Sequence, residues 1–138
     1  MIDFTLNITP PERTAQAKGI SMRGGRVHVF TKQVMKDIEL MYCAALAAHR
    51  PAQPLKGPLK ATFTFTFPWR ESETEKNRST GWMPKPTKPD CSNIIKLFED
   101  CLGHVGFFAK GDEQICSLTV IKGWGDSPSI RVRLSQWE

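Results

Sequence analysis

The nine residues from Leu59 to Phe67 read LKATFTFTF, with apolar and polar side chains in strict alternation. Successive side chains of a β-strand point to opposite faces of the sheet, so a period of two is typical of a strand buried on one side. Phenylalanine and threonine are also both frequent in strands. The stretch therefore predicts a strand that presents Phe63, Phe65 and Phe67 to the core and its threonines to the other face.

Shorter runs on both sides of this strand predict four more strands. They cover residues 4–8, 27–30, 114–122 and 130–134. Glycines and a proline between the last two runs predict a turn from Gly123 to Pro128.

Two segments carry apolar residues at helical spacing. The first runs from the end of the second strand to about His49. The second spans Ser92 to Leu102, with Ser92 as a favourable N-cap and Gly103 just beyond the C-terminus. The order β-β-α-β-α-β-β predicts one α+β domain over residues 1–138, in which a mixed β-sheet packs against two main helices.

Two long polar segments, near residues 12–26 and 69–89, show little periodicity and are expected to be mobile basic loops. Clustered cations attract phosphate groups, although a solvated loop without any ligand would have the same composition. Trp82 in the second loop suits either contact with DNA or packing onto the domain. The candidate DNA-binding residues are Arg13, Lys18, Arg23, Arg26, Arg70, Lys76, Arg78, Lys85 and Lys88.

Composition limits the class of protein further. The chain has 138 residues, of which 40% are apolar, as expected for one globular domain. It has neither an apolar run of roughly 20 residues nor a signal peptide, so we expect a cytoplasmic protein without a membrane partner. The formal charge of +5 favours binding to a phosphate polymer, yet five of the 14 acidic residues fall between Asp90 and Glu113. Acidic residues clustered in a basic chain suit a metal-dependent nuclease.

Three residues in and around this cluster carry the candidate chemistry. Asp90 lies at the start of the second helix, Lys96 nearly two turns later, and Asp112 just before the next strand. If helix and strand pack together, the two carboxylates can converge beside the lysine. Carboxylates bind Mg²⁺, which activates water and stabilises charge on a phosphate, and a lysine can neutralise the transition state. The pattern predicts hydrolysis of phosphodiesters.

The same region carries the most specific pattern in the chain: Lys88-Pro89-Asp90-Cys91-Ser92-Asn93, Lys96, Asp100, Leu102, Gly103-His104, Gly106-Phe107 and Asp112-Glu113-Gln114. It resembles the RusA-type Holliday-junction resolvases, which have a pattern close to K-P-D-x-D-N-x-x-K, a helix, a short glycine-containing segment and a D-x-Q turn. The resemblance is strong from Lys88 to Lys122 and looser elsewhere.

The resemblance implies a homodimer that binds branched DNA, in particular four-way junctions, and makes paired symmetric nicks with Mg²⁺ or Mn²⁺ and no small-molecule cofactor. It implies that Asp90 and Asp112 are catalytic metal ligands, that Lys96 is the catalytic lysine, and that Asn93 supports the site. Two-fold symmetry suits a junction with two equivalent strands to cut. Proteins of this kind are often carried by phages and prophages.

One position departs from the family pattern. The second aspartate of the motif is Ser92 here, and a neutral hydroxyl is a poor replacement for a carboxylate on Mg²⁺. Three alternatives follow. Glu113, Asp100 or Glu99 supplies the missing charge; a water on Ser92 fills the position; or the protein binds junctions with weakened or lost cleavage.

Each site residue also has an ordinary structural explanation. Asp90 suits a helix cap, Asp112 and Glu113 suit a solvated turn, and Lys96 suits an ion pair with Asp100. Their joint match to the family pattern is what favours a nuclease. A basic RNA-binding domain is a weaker alternative, since the chain lacks the aromatic strand signature of an RRM.

Overall fold

The computed structural model describes residues 1–12, 19–23, 26–30 and 32–138, and it describes no side chains between residues 19 and 32. Its strands are β1 (Ile2–Leu6), β2 (Gly19–Arg23), β3 (Arg26–Phe30), β4 (Leu59–Pro68), β5 (Trp82–Pro84), β6 (Ile115–Gly125) and β7 (Ser129–Gln136). Its helices are α1 (Lys32–Ala47), α2 (Glu75–Arg78) and α3 (Cys91–Val105), with a short 3-10 helix at Asp112–Gln114.

Strand β4 is at the centre of a five-stranded sheet of order β1-β7-β4-β6-β5. It pairs antiparallel with β7 and parallel with β6, so the sheet is mixed. Parallel neighbours need a crossover connection, and α2, β5 and α3 lie in the one between β4 and β6. Strands β2 and β3 form a separate antiparallel hairpin. The predicted α+β fold with a mixed sheet is confirmed.

The phenylalanines of β4 pack as their alternation predicts. Phe63 and Phe65 are buried and meet Phe98 of α3 edge-on, with ring centroids 5.6 and 5.7 Å apart. Tyr42 of α1 meets the same ring at 5.0 Å. Edge-on aromatic pairs contribute about 0.5–1.5 kcal/mol beyond the area they bury. Both main helices therefore pack on one face of the sheet.

The two segments predicted to be irregular loops contain regular structure. In the first, Gly19–Arg23 forms β2, while residues 13–18, 24 and 25 lie outside the described part of the chain. In the second, α2 has four residues and β5 has three. The prediction was wrong for α2 and β5 because elements of three or four residues are too short for a period to be recognised. It was wrong for β2 although that strand is as long as β1, since Ile20 and Met22 are its only apolar alternating positions.

A buried carboxylate holds the segment around α2 together. Glu73 accepts hydrogen bonds from Arg70 Nε at 2.7 Å and from Asn77 Nδ2 at 2.5 Å. The bonds from Arg70 and Asn77 lower the pKa of Glu73. Thr74 caps α2 by accepting from the Asn77 amide at 3.2 Å. Internal polar contacts thus order a stretch whose composition suggested a loop.

The second main helix extends beyond the predicted span at both ends, by one residue at the start and by three at the end. The N-cap of α3 is Asp90, so Ser92 is the second residue of the helix. The helix continues through Gly103 and ends at Gly106, whose φ of 103° lies in the left-handed region. Gly106 donates its N–H to the carbonyl of Gly103, which satisfies a carbonyl at the helix end.

We expect opposite effects from alanine at the two glycines of this helix. Gly106→Ala should lower the free energy of unfolding by about 1 kcal/mol, because alanine pays a steric penalty at positive φ. Gly103→Ala should be neutral or stabilising by up to about 1 kcal/mol, because the residue is helical and its added methyl would meet only Phe108, at 3.9 Å. Urea unfolding of both variants tests this, and equal losses would contradict the observed helix end.

The turn predicted from Gly123 to Pro128 begins later than expected. Gly123 and Gly125 lie within β6, where the indole of Trp82 lies against them. A Cβ on Gly123 would be 2.2 Å from Trp82 Cζ2, so the glycine permits this close approach. Trp82 Nε1 donates to Thr66 Oγ1 at 3.2 Å. Within the described residues, no helix is long and apolar enough to cross a membrane.

Candidate active site

Two lysines hold the loop that leads into α3. Lys85 is only 6% exposed, and its ammonium donates to Thr87 Oγ1 at 2.6 Å and to the carbonyl of Lys88 at 2.5 Å. Lys122 of β6 donates to the carbonyls of Thr87 and Pro89, the second at 2.6 Å. These bonds fix the backbone immediately before the first predicted catalytic aspartate.

The surroundings of Lys85 correct the prediction that this residue contacts DNA. Its ammonium lies 5.1 Å from the ring centroid of Phe67 and 5.5 Å from that of Trp124. Burial lowers the pKa of Lys85, Lys122 lowers it further, and Glu12 opposes the change. The side chain is directed into the protein, where a phosphate cannot reach it.

The carboxylate of Asp90 does not cap α3. A capping aspartate accepts a hydrogen bond from an amide of the first helical turn, yet the carboxylate of Asp90 makes none. The first turn is closed instead by the Asp90 carbonyl, which accepts from the amides of Asn93 and Ile94. The carboxylate is exposed, with Lys88 Nζ 3.6 Å from Oδ1. Its negative charge is available to a ligand.

Helix α3 and β6 meet near the same aspartate. Cys91 Sγ lies 3.6 Å from the carbonyl oxygen of Val120. Lys96 and Glu99 are three residues apart on α3 and so share one side of the helix. Burial, together with the negative charges of Asp112 and then Asp100, raises the pKa of Glu99 to about 7, so this carboxyl group lies within the electrostatic reach of Asp112.

Gln114 holds the second motif aspartate in place. Its Oε1 accepts from the amides of Lys110 at 2.6 Å and Gly111 at 3.2 Å. Its Nε2 donates to the carbonyls of Leu55 at 2.9 Å and Gly57 at 3.0 Å. One buried amide thus anchors the turn carrying Asp112, which gives the glutamine of the D-x-Q pattern a physical reason.

The raised pKa of Glu99 predicts a pH-dependent stability difference. Its pKa is 4.5 ordinarily and about 7 in the folded protein, so the fold binds this proton more tightly. The contribution of this carboxyl group to the free energy of unfolding is therefore fully present below pH 4.5. It falls as the pH rises from 4.5 to about 7, and it stays lost at higher pH. Glu99→Gln should unfold at a higher temperature than the wild type at about pH 8 in chelator, with no gain at about pH 4. An equal gain at both pH values would contradict the assignment.

The structure does not bring the predicted catalytic residues into one contact group. Asp90, Lys96 and Asp112 are all exposed, and in the described part of the chain no hydrogen bond or ion pair joins them. Across residues 1–12, 19–23, 26–30 and 32–138, no three His, Cys, Asp or Glu side chains are grouped so as to hold a metal ion. The protein alone does not form a closed metal cage there.

Comparison with known proteins decides the family. Residues 8–135 match the family described as Endodeoxyribonuclease RusA, which is nearly the whole chain. This chain belongs to the RusA endodeoxyribonuclease family. It is also 26% identical over 121 residues to the uncharacterized protein YqaN of Bacillus subtilis (strain 168), covering 84% of each chain. The resemblance drawn from the sequence is confirmed, and RusA membership implies a nuclease that acts on branched DNA junctions.

The other predicted DNA-binding residues of this RusA chain divide into three groups. Lys76 and Lys88 are exposed, the second with 86% of its side chain accessible. Arg70 lies over the Trp124 ring at 4.8 Å and pairs with Glu73, while Arg78 donates to the carbonyls of Glu73 and Arg70. The side chains of the remaining predicted residues lie outside the described part of the chain: Arg13, Lys18, Arg23 and Arg26.

Two residues that hold the backbone of the candidate site were not singled out for that role from the sequence. Gln114 is part of the family pattern, so the motif was a signal for it, although its role is visible only from its partners. Lys122 is 33 residues from the carbonyl of Pro89 that it contacts, and nothing in the sequence connects the two. Both residues position the motif aspartates through the backbone.

Proposed function

We propose that this RusA-family chain resolves four-way DNA junctions by metal-dependent phosphodiester hydrolysis, acting as a homodimer that makes paired symmetric nicks. The observation that carries the proposal is Asp90. It occupies the cap position of α3 without using its carboxylate as a cap, and the chain matches the nuclease family over residues 8–135. A capping role therefore does not account for this carboxylate.

The donor set suits Mg²⁺, with Mn²⁺ as a substitute. Exposed carboxylates are hard oxygen ligands, and Mg²⁺ is commonly held by one or two of them together with water and substrate phosphates. The lack of a three-residue group in the described chain fits this open arrangement and does not fit a protein cage. Asp90 and Asp112 would hold the ion, with Glu113, Asp100 or Glu99 as the further ligand. When bound, the ion supplies an activated water and stabilises charge on the phosphate.

Two lysines near the proposed metal ligands would contact DNA phosphates, and two polar residues of α3 would support Asp90. Lys96 is exposed on α3 and would neutralise charge on the phosphate being cleaved. Lys88 would contact a neighbouring phosphate, and its 3.6 Å pair with Asp90 keeps cation and carboxylate side by side. Asn93 and Ser92 lie in the first turn of α3, where they would support the Asp90 carboxylate.

The first test is cleavage of a synthetic four-way junction in Mg²⁺ and in Mn²⁺, with linear duplex of the same sequence as control. We expect paired nicks in the junction, dependence on the metal, and little cleavage of the duplex. Size measurement in solution should give twice the mass of one chain. Cleavage of both DNAs at equal rates would contradict junction selectivity.

The second candidate function, supported by Ser92, is junction binding without cleavage. If the leading proposal holds, the wild type cuts, and Ser92→Asp should cut at roughly tenfold lower Mg²⁺ because it restores the second aspartate of the family pattern. If the protein only binds, the wild type should shift the junction without nicking it, and Ser92→Asp should restore cleavage. Ser92→Asn is the matched control, since it enlarges the side chain without charge. Brisk cutting by all three proteins would exclude a metal role for this position.

A further inference from the structure

The sheet has a second face that the two main helices do not cover. Register places Thr62 and Thr64 of β4 beside Arg133 and Arg131 of β7, and beside Thr119 and Ile121 of β6. These residues alternate with the buried ones that face α3, so they point away from the helices. We call this the open sheet face: Asp3, Thr5, Lys60, Thr62, Thr64, Ser117, Thr119, Ile121, Arg131 and Arg133.

The charge of the open sheet face is positive. Its single carboxylate, Asp3, is shared by Arg131 at 2.9 Å and Arg133 at 3.5 Å, and the bond from Arg131 lowers the pKa of Asp3. One carboxylate cannot neutralise both arginines, and Lys60 adds a further positive charge. Half of the Arg131 side chain and 45% of that of Arg133 remain exposed. An anion approaching the face would meet uncompensated cations.

Hydroxyl groups and an indole complete the face. Threonines and serines commonly bind DNA phosphates together with arginine and lysine. At the β5 end, Trp82 lies over Gly123 and Gly125 on the same side as Thr66, and its ring is partly exposed. Exposed aromatic rings are platforms on which unpaired bases stack. Cations, hydroxyls and an aromatic ring together fit a nucleic acid.

We infer that the open sheet face binds the phosphate backbone of a second arm of branched DNA. The inference rests on the proposed function. Asp90 and Lys96 belong to α3, on the opposite side of the sheet, so a duplex at the active site leaves the open sheet face uncovered. A branched molecule can send another arm to that face. A second copy of the chain fits poorly, since two copies of this net positive face would repel each other.

The test compares two double variants with equal loss of charge. Lys60→Gln with Arg133→Gln removes two cations of the open sheet face while Arg131 stays paired with Asp3. Lys36→Gln with Arg50→Gln removes two exposed cations elsewhere. Affinity for a four-way junction and for linear duplex is measured in chelator over a range of salt, and molecular mass is measured for each protein.

We expect the open-face variant to bind the junction roughly tenfold or more weakly, with a salt slope reduced by about 1.8, and to bind linear duplex unchanged. The control pair should not show this selective loss. Equal losses on both DNAs, no loss on either, or dissociation of a dimer would overturn the inference. If the wild type binds no branched DNA at all, the proposed function itself fails, which is a different result from an unaffected variant.

Discussion

Asp90→Asn should reduce junction cleavage by at least about 100-fold and leave junction binding almost unchanged. Loss of a residue that only orients a metal ligand costs about 10- to 100-fold, so loss of a ligand itself should cost at least as much. Asparagine keeps the size and the capping ability of aspartate, and the carboxylate makes no capping bond in the fold. The unfolding temperature should therefore be the same as that of the wild type.

The measurement is single-turnover cleavage with saturating protein, together with affinity in chelator. Asp37→Asn is the matched control, because Asp37 is an exposed aspartate on α1 whose recorded partner is Gln33 at 3.0 Å. We expect the control to cut normally. An Asp90→Asn protein that cuts at the wild-type rate would show that the site lies elsewhere in the chain.

Binding of the metal gives an independent readout. Isothermal titration with Mn²⁺ in the absence of DNA should show weak binding to the wild type and weaker binding to Asp90→Asn. Weak binding is expected because the described residues form no three-ligand group. Tight binding by the wild type would contradict the open site and would indicate that residues outside the described part of the chain contribute ligands.

The sequence predicted the strands and helices that have enough residues to show a period. β4 extends over ten residues and α3 over fifteen, and both were located to within a few residues of their ends. Short elements were missed because particular side-chain contacts stabilise them, and not a repeated apolar pattern. Helix α2 depends on the buried Glu73, and β5 depends on Trp82 lying over Gly123, neither of which leaves a periodic signal.

The candidate site was predictable as a set of residue types but not as a geometry. The family pattern led to Asp90, Lys96 and Asp112, all of which are exposed, and their role in catalysis stays a prediction. Nothing in the pattern distinguished cations that contact solvent from cations that hold the scaffold. Lys85 and Lys88 are three residues apart, yet the first is 6% exposed and the second has 86% of its side chain exposed.

Because Lys85 is buried and holds the loop before Asp90, Lys85→Met should lower the rate of cleavage by about 10- to 100-fold without weakening junction binding. Methionine can fill the space beside Phe67 and Trp124, but it cannot donate to Thr87 or to the carbonyl of Lys88. The backbone before Asp90 would then shift, and a displacement of about 1 Å at a reacting group can cost about 100-fold.

The cleavage rate and the DNA affinity of Lys85→Met together show whether Lys85 positions the loop or contacts DNA. A lysine that bound phosphate would, when replaced, weaken affinity and reduce the salt slope by about 0.9 while leaving the single-turnover rate at saturation intact. We expect the reverse for Lys85→Met, with an unfolding temperature close to that of the wild type. Lys36→Met, at an exposed site on α1, is the control for removing a charge. Because Lys85 and Lys122 hold successive carbonyls of one loop, a rate loss in Lys85→Met would show that the carboxylate of Asp90 depends on the backbone these ammonium groups fix.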